Sequence, residues 1–173
     1  MKTIKIKIYE FSELSEEAKQ KAISNLSDIN VDDNWWRWTY EDAERIGLKI
    51  TSFDLNRNRH CKGDFLINSL EVAQNILNEH GESCNTYKTA QNFLNCHAPI
   101  FADYLNRESE NYESSELENK LQDLEEDFLN DILEDYSIIL QDESEYLQSD
   151  EAIVQTIEAN EYFFDINGNL TNY

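Results

Sequence analysis

From Leu117 onward, Leu117, Leu121, Leu124, Phe128, Ile132, Tyr136, Ile139 and Leu140 recur in steps of three and four over six turns. Only an α-helix puts such positions on one side, and that side has to be buried in water. Ser115-x-x-Glu118 ahead of the run has the form of a capping box, so a long helix is expected near residues 116–147. Its remaining positions are unusual, because the stretch LQDLEEDFLNDILEDYSIILQDESEY, residues 121–146, contains no Lys or Arg.

Charge of one sign is concentrated in that half of the chain. Residues 1–107 hold 13 Lys+Arg against 16 Asp+Glu, a net of −3, whereas residues 108–173 hold only Lys120 against 20 acids, a net of −19. Such a field repels nucleic acids and anionic membranes and attracts cationic protein surfaces. The 40% hydrophobic content in 173 residues is enough for a folded core and excludes a disordered chain. With four Gly, one Pro and no linker-like stretch, a single domain over residues 1–173 is expected. No apolar run approaches the ~20 residues of a membrane span. MKTIKIKIYEF alternates Ile and Lys, unlike a secretion signal, and three irregularly spaced cysteines suit a reducing compartment, so a cytoplasmic location in the host cell is expected.

The rest of the chain reads as α+β, with a small, mostly antiparallel sheet and about six helices. Strands are expected near residues 3–9, 48–55, 62–67 and 161–165. The middle two form a hairpin with the basic tip NRNRHC. Ser12 or Ser15 can cap a helix over EEAKQKAISNLSDI, and Asp32 or Asp33 a second over NWWRWTYEDAERI that stops at Gly47. Ser69 is positioned to cap LEVAQNILNEH. The following helix, TYKTAQNFLNCHAPIFADYLNRE, is expected to bend or break at Pro99, and DINGN to turn a terminal hairpin.

Twelve acids lie between Glu116 and Glu145, about one per 4 Å of helix, close to the ~3.4 Å charge spacing along one DNA strand. Asp123, Asp127, Asp131 and Asp135 share one face, where each like-charged pair costs roughly 0.2–0.5 kcal/mol. A ridge retained against that cost is expected to meet a basic partner, with Asp123, Asp127, Asp131, Glu134, Asp135 and Asp142 as contacts. The bland alternative is a solvated face serving solubility. Trp36 is either an exposed interface anchor or partly buried under the sheet, and core packing accounts for the other two tryptophans, Trp35 and Trp38. Arg57, Arg59 and Lys62, with His60, are possible secondary contacts, or else a turn that pairs with the protein's own acids.

No catalytic residues, metal or cofactor are expected. His60-Cys61, His80-x-x-x-Cys84 and Cys96-His97 lack the tight knuckles of structural zinc sites, and no Glu-x-x-His pair, phosphate loop or nucleophile elbow occurs.

Three runs, YEFSELSEEAKQKAI, DINVDDNWWRWTYEDAERIGLKITSFDLNRNRHCKGDF and LEDYSIILQDESEYLQSDEAIVQTIEANEYFF, resemble a family of small acidic phage and prophage proteins of Bacteroidota-like hosts. The resemblance covers most of the chain and supplies a setting without catalytic residues. It implies a counter-defence inhibitor of the anti-CRISPR kind, with a type VI RNA-guided effector as a target. The function expected is then a non-enzymatic inhibitor that covers the guide- or target-binding surface of a basic host nuclease. The other reading is an antitoxin-like or regulatory module that binds a basic toxin or its own copy through the apolar stripe of residues 121–140.

Overall fold

A computed structural model describes residues 7–57, 59–108 and 115–171. Among them are six helices and four short strands, an α+β arrangement as expected. The strands form two separate antiparallel pairs where the sequence suggested one sheet. The chain folds as two compact units, residues 1–35 with 142–173 and residues 36–141. No helix among the described residues is long and apolar enough to cross a membrane.

The first unit starts with β1 (Tyr9–Glu10) and a 3-10 turn at Phe11–Glu13, followed by α1 (Glu16–Asn25). Ser15 is the cap, its hydroxyl accepting from the Ala18 N–H at 3.3 Å. The expected strand over residues 3–9 lies largely outside the described residues. α6 (Asp150–Ala159) is capped in the same way by Ser149 and leads to β4 (Phe163–Phe164), which pairs with β1. DINGN is a tight turn, with Asp165 Oδ1 accepting from the N–H groups of Asn167 and Asn169. Phe11, Ala18, Ala22, Ile153, Ile157 and Phe164 make the core. Asn30 ties the unit together by donating to the Leu147 carbonyl (2.9 Å) and accepting from Thr156 Oγ1 (2.7 Å).

The second unit holds α2 (Arg37–Ile46), the hairpin β2 (Leu48–Asp54) and β3 (His60–Phe65), α3 (Ser69–Glu79), α4 (Asn85–Glu108) and most of α5 (Ser115–Leu147). Gly47 ends α2 at φ +94°, the left-handed geometry in which glycine costs least. Several local expectations are corrected here. α2 begins at Arg37 with Trp36 at its cap position, while the Asp33 side chain accepts from the neighbouring Asn34 N–H. α3 is capped by Asn68, one residue before Ser69. β3 starts at His60, two residues early, and α4 runs through Pro99 as one helix. The Ser115 capping box and the acidic segment before it fall at or beyond the edge of the described residues.

The core of this unit stacks Phe93 on Phe128 at 4.2 Å between ring centroids, with Phe65 at 5.5 Å from Phe128. Around the rings sit Ile46, Leu48, Val72, Ile76, Ile132 and Tyr136, none exposed. α5 thus uses its apolar stripe inside its own fold, which fixes the side it leaves to solvent.

Candidate functional site

α5 advances 100° and 1.5 Å per residue, so Asp123, Asp127 and Asp131 lie within 80° of arc and about 12 Å of length. All three are exposed, and among the described residues none has an ion-pair partner. Burial of Phe128, Ile132 and Tyr136 holds that face outward.

The other expected contacts behave differently. Glu134 is bonded by the Arg59 guanidinium from the hairpin tip. Asp135 is half-buried, its Oδ2 accepting from Thr89 Oγ1 at 2.7 Å. Burial pushes the Asp135 carboxyl above its ordinary value, Asp131 and Glu134 add to the rise, and the Thr89 hydrogen bond opposes it. Asp142 is exposed but belongs to the first unit. Towards the start of the helix, Lys120 bonds Glu116 at 3.1 Å on the same side as Asp123. One acid is paired on either side, Glu116 by Lys120 and Glu134 by Arg59, and Asp123, Asp127 and Asp131 stand open between them. Glu125 and Glu126 are exposed beside them, so this stretch of the helix is a compact anionic patch.

The possible secondary contacts also divide. Arg59 serves the intramolecular pairing that was the plainer alternative for this tip, while Arg57 and Lys62 are exposed. Trp36 packs edge-on against Phe53 at 5.7 Å and is partly buried. Trp38 is the exposed tryptophan, with 72% of its surface accessible and Arg37 5.8 Å over its ring. Trp35 and Trp36 precede α2, so a helical phase counted from Trp35 points Trp38 the wrong way.

The interior holds a polar cluster that no sequence spacing announces. Asp42 Oδ2 accepts from Tyr136 Oη at 2.8 Å, Oδ1 meets Arg45 at 2.5 Å, and His80 Nε2 lies 3.4 Å away. His80 Nδ1 in turn contacts Thr86 Oγ1 at 2.8 Å. The neighbouring His80 is the main influence holding the Asp42 carboxyl down to about 2; burial opposes it, and Tyr136 and Arg45 assist. Burial, and then the Asp42 charge, raise the Tyr136 hydroxyl. A hydroxyl, an imidazole and a carboxylate in series have the form of a nucleophile relay, but Thr86 is 2% exposed and no substrate reaches it. The cluster clamps α2, α3, α4 and α5 together.

Among the described residues no group of three His, Cys, Asp or Glu side chains could hold a metal ion. Cys61 is half-buried, its thiol pushed up to about 11 by burial, and Cys84 and Cys96 are exposed thiols. His97 is enclosed between the rings of Phe93 and Phe101. No family model, curated protein or solved structure matches the chain, so the reading of this site rests on its own residues.

Much of the apolar stripe of α5 is covered within a single chain, while Ile139 is 39% exposed. Phe128, Ile132, Tyr136 and Leu140 are each 2% exposed or less within a single chain.

Proposed function

We propose that this chain is a non-enzymatic inhibitor whose Asp123, Asp127 and Asp131 patch seats on a basic surface of a nucleic-acid-handling host nuclease. The phage counter-defence setting that the sequence resembles makes an RNA-guided effector the target class, in the manner of an anti-CRISPR protein. One observation carries the reading: three like charges are held on one rigid helical face with no internal cation, at a local cost of roughly 0.2–0.5 kcal/mol for each neighbouring pair. A fold that neutralises Glu116 and Glu134 with Lys120 and Arg59 leaves these three uncovered. Long-range attraction by such a patch speeds association and fixes orientation, and salt weakens both effects.

The test measures RNA cleavage by a purified type VI effector with wild-type protein and with the triple variant D123N/D127N/D131N. Because these side chains have no partner to lose, the variant keeps its circular dichroism and melts no lower than wild type. Wild type is expected to inhibit, less so at high salt, and the variant to lose about tenfold in potency, as three exposed charge contacts of up to ~1 kcal/mol allow. Equal potency would remove the patch from the mechanism. No inhibition by wild type would remove this target.

A further inference from the structure

In the first unit, β1, the 3-10 turn, the end of α6 and the start of β4 enclose a groove of about 410 Å3. Phe11, Ser12, Ile157, Tyr162 and Phe163 line it together with the carboxylates Glu10, Glu158 and Glu161. The volume lies within the range of ligand sites. No Lys or Arg lines it.

Two of these carboxylates sit where the backbone disfavours them. Glu161 follows α6 at φ +52°, the left-handed position that glycine or asparagine ordinarily fills because a β-carbon costs about 1–2 kcal/mol there. The turn is fixed by Glu161 N–H donating to the Glu158 carbonyl (3.2 Å) and Tyr162 N–H to the Ile157 carbonyl (3.1 Å). Glu158 lies in the last turn of α6, which carries no basic residue, so its charge adds to the negative end of the helix dipole. Dipole end and carboxylates make the groove anionic, and Phe163, 39% exposed beside the fully buried Phe164, offers it an accessible ring. Carboxylates over aromatic rings complement a cation with an apolar stem, which is an Arg or Lys side chain. A bare metal ion finds too few ligands here, and an acidic peptide is repelled.

We infer that this groove receives an Arg or Lys side chain from an extended basic peptide segment of a partner protein. The groove is a second contact, separate from the α5 patch, and does not rest on that patch having a function.

The probe is a fluorescent nine-residue peptide of alternating Arg and Leu, followed by polarisation at 50 mM salt, with an alternating Glu and Leu peptide as the control. Wild type is expected to bind the first and not the second. The double variant E158Q/E161Q should weaken binding about three- to tenfold, whereas D123N/D127N/D131N should bind as wild type does. Glu161→Gly should weaken binding while raising the melting temperature by about 1–4 °C, because it removes the charge and the backbone cost together. Unchanged affinity in E158Q/E161Q, loss of binding in the α5 triple variant, or no binding by wild type would each overturn the assignment. So would a lower melting temperature for Glu161→Gly, which would make Glu161 a structural residue.

Discussion

Asp42 and Asp135 are both half-buried carboxylates in the second unit, yet their surroundings drive them in opposite directions. Asp42 is ringed by His80, Tyr136 and Arg45 and is held down to about 2. A carboxyl lowered on folding adds stability above its unfolded value near 4, and that stability fades as pH falls towards 2. Asp42→Asn should therefore be clearly destabilising at pH 7 and nearly neutral at pH 2. Asp135 is raised, chiefly by burial, and then by its acidic neighbours. Its charge is a burden on the folded state at neutral pH, and protonation relieves it. Asp135→Asn keeps an acceptor for the Thr89 hydroxyl and should stabilise at pH 7, an advantage that vanishes as the pH falls below the unfolded value near 4. Urea unfolding of both variants at pH 7, 4 and 2.5 checks the opposite slopes.

Among the elements, α5 contributes most to the core, and Phe128 is its central side chain, stacked on Phe93 and touching Phe65. Phe128→Ala removes a 2% exposed ring and leaves a cavity, so about 3–5 kcal/mol should be lost, read as a lower urea midpoint. That helix was legible in the sequence because its apolar steps of three and four persist for six turns, which no strand or loop imitates. Caps were less legible: Asn68 and Ser69 can both cap, and only the backbone path selects Asn68. The tryptophan phase failed because α2 starts after Trp36. One sheet was expected where two pairs form, since strands two to seven residues long reveal their own alternation but not their neighbours. The patch was legible as a run of acids, but its limits were not. Arg59 is 75 residues from Glu134 and Thr89 is 46 from Asp135, distances that no local pattern encodes.

For the whole molecule, 14 Lys+Arg face 36 Asp+Glu, so one-to-one pairing leaves at least 22 carboxylates without a cation. Repulsion among them opposes the folded state at long range. The screening length falls from about 30 Å at 0.01 M salt to about 8 Å at 0.15 M, shorter than the ~12 Å from Asp123 to Asp131. Adding sodium chloride over that interval should therefore raise the melting temperature, because repulsion is weakened more than the few ion pairs are. The same salt should slow association with a cationic partner, since the attraction of the patch is screened over the same length. Fold and binding should thus respond to salt with opposite signs. D123N/D127N/D131N should reduce both responses, and thermal melts alongside association rates at 0.01, 0.05 and 0.15 M measure them. A melting temperature that falls with salt would mean that ion pairs, and not repulsion among carboxylates, dominate the electrostatics of the fold.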